Sequence, residues 1–276
     1  MAISPGMRTL LRFLTGLTLT FIYVPLLVIA LYAFNERRTQ TWPIKGFTLE
    51  WFDRALHNPG VRDALMLSVK AALGATILAL VLGTLASLAV ARYRFFGRET
   101  ISFVVILPIA LPGIVTGMAL NATFNTVGVQ LGLLTIIVGH ATFCIVVVYN
   151  NTVARLRRTS QHLEEASADL GADTWQTFRY VTFPQLRSAL LAGALLAFAL
   201  SFDEVIVTTF TAGPDQTLPI WILGNLSRPN QLPVVNVVAV FLILLSTIPV
   251  YLATRLTRDT GAVTPTAGGA QAAGAR

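Results

Sequence analysis

Six stretches of the chain are apolar for long enough to cross a membrane: 13–34, 65–91, 101–122, 133–153, 186–210 and 234–252. At 1.5 Å of rise per residue, about 20 apolar residues span the hydrocarbon core as a helix. Backbone polar groups must be paired internally there, so the pattern predicts an all-α membrane protein with six transmembrane helices. The first stretch follows Arg8 and Arg12, as a secretory signal would. It is too long for one and lacks a small-residue cleavage site, so a retained helix is expected. The second carries a small residue at every fourth position: Ala71, Ala75, Ala79, Gly83, Ser87 and Ala91. Such a stripe lets another helix approach closely. The third holds Pro108 and Pro112 ahead of Gly113 and Gly117. The prolines free the carbonyls of Val104 and Pro108, which must then face protein or a wet cavity. This stretch is expected to be one kinked helix lining a cavity, or one kinked for packing alone.

Composition agrees. Of 276 residues, 54% are hydrophobic and 12% charged, against about 25% charged in a soluble domain. The net charge of +7 is spread through short loops, with no basic arm or aromatic-interleaved patch, which excludes nucleic acid as a partner. The single cysteine, Cys144, lies in an apolar run and reads as a packing residue; no disulfide or Cys-based metal site can form within the chain. With both termini cytoplasmic, 13 Lys/Arg fall inside and 7 outside, the direction the positive-inside rule requires. The predicted organisation is a cytoplasmic N-terminus (1–12), a six-helix domain (13–256) with its longest internal loop at 154–185, and a disordered Gly/Ala/Thr-rich tail (257–276). The excursion 35–60, with Trp42, Trp51 and Phe52, suits an interface-lying segment.

Other classes fit less well. No His-Glu-x-x-His or Gly-x-Ser-x-Gly motif occurs, and the three histidines (His57, His140, His162) lie in separate segments, against an intramembrane enzyme. No internal repeat is evident, against an ion-gradient-driven carrier. No Gly-x4-Gly-Lys-Ser/Thr loop is present either, so any ATP must be hydrolysed by another chain.

The loop 154–185 carries the most specific pattern. Ser160 is a candidate N-cap, with Glu164 and Glu165 early in the helix that follows. Gly171 is expected to end that helix. Asp173 and Gln176 form a capping-box pattern for a second helix, and Pro184 is expected to close the loop. The junction presents Leu170, Ala172, Trp175 and Phe178, which are costly on a loop unless they pack on the membrane face or dock a partner. Glu165-Ala166-Ser167, Gly171 and Val181-Thr182-Phe183-Pro184, at their spacing, resemble the Glu-Ala-Ala motif of ABC-importer permeases. Ser167, Val181 and Phe183 depart mildly from that pattern.

The resemblance covers about residues 15–256 and is closest to the second-subunit branch of the spermidine/putrescine-type permeases. It is carried by Gly46-Phe47-Thr48, Trp51-Phe52, Leu107-Pro108, Pro112-Gly113, Gly117, Ser201-Phe202-Asp203-Glu204, Phe210-Thr211-Ala212-Gly213-Pro214 and Leu218-Pro219. Relatives with similar motifs move phosphonates and amino-acid derivatives. The resemblance implies a type I importer fold in a bacterial inner membrane, a cytoplasmic coupling helix docked on an ATPase, and alternating access. The implied partners are a second permease subunit (a heterodimer by branch), two ATPase subunits and an extracytoplasmic solute-binding protein, within membrane lipid. It implies no catalytic residue, metal or cofactor on this chain, with ATP-Mg held by the ATPase. The coupling candidates are Glu165, Ala166, Leu170, Gly171, Ala172, Trp175, Phe178 and Pro184. Gly171→Asp is expected to uncouple ATP use from uptake by blocking the close turn and the docking.

Asp203 and Glu204 fall inside the fifth apolar stretch, near its outer end. Carboxylates there are expensive unless they face water or a partner, and they would attract a cationic amine. Neighbours on a helix point about 100° apart, so one of the two is expected to face the path, with Asp203 favoured. The alternative is a helix-to-helix hydrogen bond or a salt bridge to another subunit. Pro108 and Pro112 complete the substrate-path candidates. Asn121, Asn125, His140, Thr142, Asn150, Asn151, Thr208, Thr209 and Asn236 read as helix-to-helix glue.

Overall fold

The structure, a computed structural model, describes residues 4–259. Twelve α-helices follow one another among them: α1 (Pro5–Ala33), α2 (Glu50–Leu56), α3 (Pro59–Arg92), α4 (Arg98–Ala110), α5 (Gly113–Thr126), α6 (Leu133–Leu156), α7 (His162–Asp169), α8 (Thr174–Thr177), α9 (Phe183–Phe202), α10 (Ile206–Thr211), α11 (Leu218–Asn225) and α12 (Leu232–Asp259). The described residues contain no strand, only an isolated bridge between Asn35 and Phe47. Five helical stretches among the described residues are long and apolar enough to cross a membrane, and there are six if α4 and α5, apolar together but broken between Ala110 and Gly113, count as one span.

Proline chemistry explains where these elements start and stop. Pro5 opens α1, where its missing N–H costs nothing, and the Ser4 hydroxyl accepts from the Met7 N–H. The N-terminal helix therefore begins well before residue 13; residues 1–3 lie outside the described part. Pro112 disfavours helical geometry at Leu111. It sits in extended geometry as the N-cap of α5, and its carbonyl accepts from Val115 and Thr116. The third span is thus two helices, not the single kinked one expected. Of the tail expected to be disordered, 257–259 belong to α12, and 260–276 lie outside the described residues.

The chain divides into two compact units, interleaved in sequence. One holds the residues up to Gly74, Leu111–His140 and Ser201–Ile248; the other holds Ala75–Ala110, Ala141–Leu200 and the residues from Pro249. In the first unit, Ala71 packs with Ile136 and Ala212. Trp51 on α2 is 3% exposed and its indole N–H donates to the Asn35 carbonyl at 2.8 Å. This aromatic pins the excursion to its own chain, whereas Trp42 stays open.

In the second unit the small-residue stripe of α3 continues buried through Ala75, Ala79, Gly83 and Ser87. At Gly83, an added Cβ would lie 3.0 Å from the Ile145 carbonyl and the Val148 Cβ. Glycine leaves room for that approach of α3 to α6, which a Cβ would crowd. Cys144 is buried and its thiol donates to the Ala197 carbonyl, a packing role.

Candidate functional site

Two regions carry the candidate residues, one in each unit. The first is the segment between α6 and α9. Helix α7 starts one residue later than a Ser160 cap would give: Gln161 is the cap residue, and the Ser160 hydroxyl accepts from the His162 N–H. Gly171 follows α7 with φ +86°, a left-handed geometry that suits glycine. Among the described residues, chain neighbours apart, no atom lies within 4 Å of an added Cβ there. A Cβ at 171 strains the backbone but meets no other described residue beyond its chain neighbours. Asp173 then caps α8 reciprocally: its carboxylate accepts from the Gln176 N–H at 2.8 Å, and the Gln176 amide oxygen accepts from the Asp173 N–H at 3.0 Å.

Helix α8 does not end the segment. It runs through a π-helical turn, Phe178–Thr182, directly into α9. Pro184 therefore sits in the first turn of α9 and does not close the loop before it. A proline there cannot donate to the carbonyl four residues back and crowds it. The wide turn, in which the Phe183 N–H donates to the Phe178 carbonyl, admits the ring without breaking the helix.

The apolar side chains of this segment face outward. Leu170 is 89% exposed and Trp175 64% exposed. Ala166, Gly171 and Pro184 are exposed too, while Ala172 and Phe178 are half-buried. Phe178 stacks between Trp175 and Phe183, with ring centroids 5.7 and 6.1 Å away. Ala172, Trp175 and Phe178 line an open groove of about 1080 Å³ together with Leu80, Leu85 and Leu88 of α3. Glu165 is exposed, and its carboxylate accepts from His162 Nδ1 at 2.9 Å.

Glu164 anchors the segment, a role that sequence patterns did not suggest. One carboxylate oxygen accepts from Arg92 Nη2 at 3.0 Å, Arg92 Nε at 3.2 Å and the Thr182 hydroxyl at 2.9 Å. Arg92 and Glu164 side chains are only 12% and 21% exposed. The cluster ties the end of α3 to α7 and to the π turn.

The second region is the fifth apolar stretch beyond residue 200. It is not one helix to Phe210: α9 ends at Phe202, and residues 203–205 are non-helical before α10. The 100° separation expected of Asp203 and Glu204 therefore does not apply. Instead Glu204 turns back and its carboxylate accepts from the Val207 N–H at 3.0 Å, at the start of α10. Asp203 is exposed, with no hydrogen bond or ion pair among the described residues. Across the break, His140 Nδ1 is hydrogen-bonded to the Ser201 hydroxyl at 2.7 Å and Nε2 to the Thr208 hydroxyl at 2.8 Å. The end carbonyls of α10 are also met: Asn121 Nδ2 donates to Phe210, and the Thr135 hydroxyl donates to Thr211. The polar residues named as glue at 121, 140 and 208 thus act together around one short helix. Pro112 opens α5, which packs closely on α10; a Cβ at Gly117 would meet the Phe210 ring at 2.6 Å. Pro108 belongs to the other unit, half-buried within α4. Among the described residues no group of three His, Cys, Asp or Glu could hold a metal ion.

Comparison with known proteins bears on both regions. Residues 79–261 match the model of the family described as binding-protein-dependent transport system inner membrane component. The chain is 33% identical to the putrescine transport system permease protein PotI of Escherichia coli (strain K12), over 81% of this chain and 82% of that protein. It is also 33% identical to the spermidine/putrescine transport system permease protein PotC of Haemophilus influenzae, over 86% and 92% respectively. In fold it is similar to a chain of a bacterial ABC transporter involved in the import of the acidic polysaccharide alginate. That match has a TM-score of 0.69, 16% identity, and covers 95% of this chain and all of the other.

Proposed function

The chain belongs to the family of binding-protein-dependent transport system inner membrane components, and from that premise we propose that its solute is a polyamine such as spermidine or putrescine. It is the membrane-spanning permease subunit of an ABC importer. It is a transport subunit and not an enzyme, so ATP is hydrolysed on a separate subunit. Partner permease, ATPase and binding protein come with the family.

The observation that carries the polyamine assignment is the break at 203–205. The Glu204 carboxylate is committed to the start of α10, while Asp203 stands exposed beside it. An unpaired carboxylate in an apolar stretch is tolerable only against water or a partner. On a solute route it attracts an organic cation. The names of the two relatives, putrescine and spermidine/putrescine permeases, support the same choice.

In the full assembly, the segment with Glu165, Ala166, Leu170, Gly171, Ala172, Trp175, Phe178 and Pro184 docks on the ATPase and passes its closure to the permease. Exposed Leu170 and Trp175 support that docking. Such a switch needs nucleotide affinity to differ between inward- and outward-open states. The Lys/Arg distribution, 13 against 7, supports cytoplasmic termini and a cytoplasmic docking segment. The domain layout that follows is a cytoplasmic 1–12, a membrane domain 13–256 and a cytoplasmic tail 257–276. A heterodimer of permeases, two ATPase subunits and an extracytoplasmic binding protein complete the importer, with ATP-Mg on the ATPase and Pro108 and Pro112 shaping the route.

The test is uptake of labelled spermidine and putrescine by the complete complex in vesicles. ATP-dependent uptake that Asp203→Asn abolishes, with ATP hydrolysis by the complex retained, is the expected outcome. Transport of a different solute, with neither polyamine carried, would retire the assignment.

A further inference from the structure

One imidazole bonds to both sides of the break between α9 and α10. His140 lies on α6, about two turns from its start. It is 1% exposed and reaches both sides of the gap, to Ser201 in the last turn of α9 and to Thr208 in α10. The Thr208 hydroxyl also donates to the Glu204 carbonyl at 2.7 Å. The Thr208 hydroxyl therefore joins the His140 Nε2 atom to the Glu204 carbonyl. The chain of bonds thus runs from His140 through Thr208 to the backbone of the turn itself. The neighbouring Gly139 brings α6 close: a Cβ there would lie 3.1 Å from Val207 and 3.3 Å from Thr211. Asn121 and Thr135 fix the far end of α10, and His140 bridges its near end to α9.

We infer that His140 is a positioning residue of the solute route, fixing the non-helical turn 203–205 so that Asp203 stays clear of the helix ends. The inference rests on the proposal that Asp203 lies on the route. Without His140, the Ser201 and Thr208 hydroxyls lose their common partner, and the hydroxyl bonded to the Glu204 carbonyl is no longer held in place. Residues 203–205 then gain freedom to rejoin α9 or to swing away, and the carboxylate is no longer presented in one place.

The test reads the turn without reference to any solute. In the complete importer carrying Cys144→Ala and Asp203→Cys, the rate of modification by a charged, membrane-impermeant maleimide reports exposure at residue 203. Adding His140→Ala, or separately Thr208→Val, is expected to change that rate about fivefold, the scale of one lost hydrogen bond. His140→Gln, which returns an amide N–H to the same reach, is expected to restore it most of the way. An unchanged rate in both His140→Ala and Thr208→Val overturns the inference. With Asp203 intact, His140→Ala is expected to raise the KM for labelled spermidine about fivefold per assembled complex, with little change in maximal rate. A residue needed only for folding would lower the yield of complex and leave the labelling rate and KM of what assembles unchanged, which also overturns the inference. Altered labelling with spermidine not carried at all retires the polyamine assignment and leaves the positioning role of His140 standing.

Discussion

The segment 162–182 and the break 201–211 both interrupt the run of long helices, and the turns inside them are held in different ways. Around the break, His140 bonds the Ser201 and Thr208 hydroxyls on either side and Asn121 and Thr135 meet the carbonyls at the far end of α10, all from distant parts of the chain, while Glu204 meets the Val207 N–H. Its buried residues include Val207, Thr208 and Thr211. Between α7 and α8, the turn is made by its own residues, Gly171 and the Asp173–Gln176 box, while Leu170 and Trp175 stay open. A region that satisfies itself has a fixed shape without help. A region that satisfies only its backbone, and leaves apolar side chains out, gains its remaining stability from whatever covers it.

The largest effect that separates the two comes from a matched pair of glycines. Gly171 and Gly213 both have left-handed φ, +86° and +62°. A Cβ at 171 meets nothing within 4 Å, whereas one at 213 lies 2.8 Å from the Leu131 Cβ and 3.1 Å from its carbonyl oxygen. Gly171→Ala carries only the left-handed penalty, about 1 kcal/mol. Gly213→Ala adds overpacking and is expected to cost about 3 kcal/mol in total. Thermal unfolding of the purified complex should show a clearly larger drop for Gly213→Ala; equal drops would mean that the surroundings of the two turns do not differ as described.

A smaller contrast lies in the two ion pairs of the 162–182 segment. The Glu164 carboxylate is mostly buried and accepts three bonds, so Arg92→Ala leaves it short of charged partners. The expected loss is about 2 kcal/mol, the scale of hydrogen bonds to a charged group. The pair of His162 and Glu165 is largely exposed, and exposed pairs contribute little. His162→Ala is expected to leave the unfolding temperature where it is. A double-mutant cycle on Arg92 and Glu164 that shows no coupling would contradict the anchoring role.

These contrasts mark what the sequence makes legible. Gly171, the Asp173–Gln176 spacing and the small residues of α3 act through neighbours within a turn or along one helix face, so their spacing alone predicts their role. The ties that fix the interrupted spans join residues 61 to 89 positions apart, and no local pattern encodes them. The break after Phe202 had a faint local trace: two consecutive acids within an apolar run, then Val205-Ile206-Val207-Thr208-Thr209, all β-branched and poor at continuing a helix. An acid three residues before Val207 is placed as a cap, but the unbroken hydrophobicity of the stretch outweighed it. Pro184 misled in the other direction, because a π turn can absorb a proline that α-helical geometry would not.

The smallest effect on stability accompanies a large expected effect on transport, and it concerns the exposed apolar residues. Leu170 is almost fully exposed and Trp175 is largely exposed and stacks on Phe178, so Leu170→Ala is expected to leave the unfolding temperature of the permease unchanged and Trp175→Ala to lower it only slightly. If the segment docks on the ATPase, each side chain is covered there, and burial of a Leu or Trp stabilises by about 2 kcal/mol. The double substitution should then weaken association of the ATPase by two to three orders of magnitude, at about 1.4 kcal/mol per tenfold. Retention of the ATPase by the tagged permease at graded dilution measures this directly. The same substitutions placed at Leu223 and Leu226, also exposed and apolar but far along the chain from the segment, serve as the control, expected to leave retention unchanged. Retention lost equally at both sites would point to a general loss of solubility. Retention kept at both would remove docking as the reason that the segment leaves Leu170 and Trp175 open.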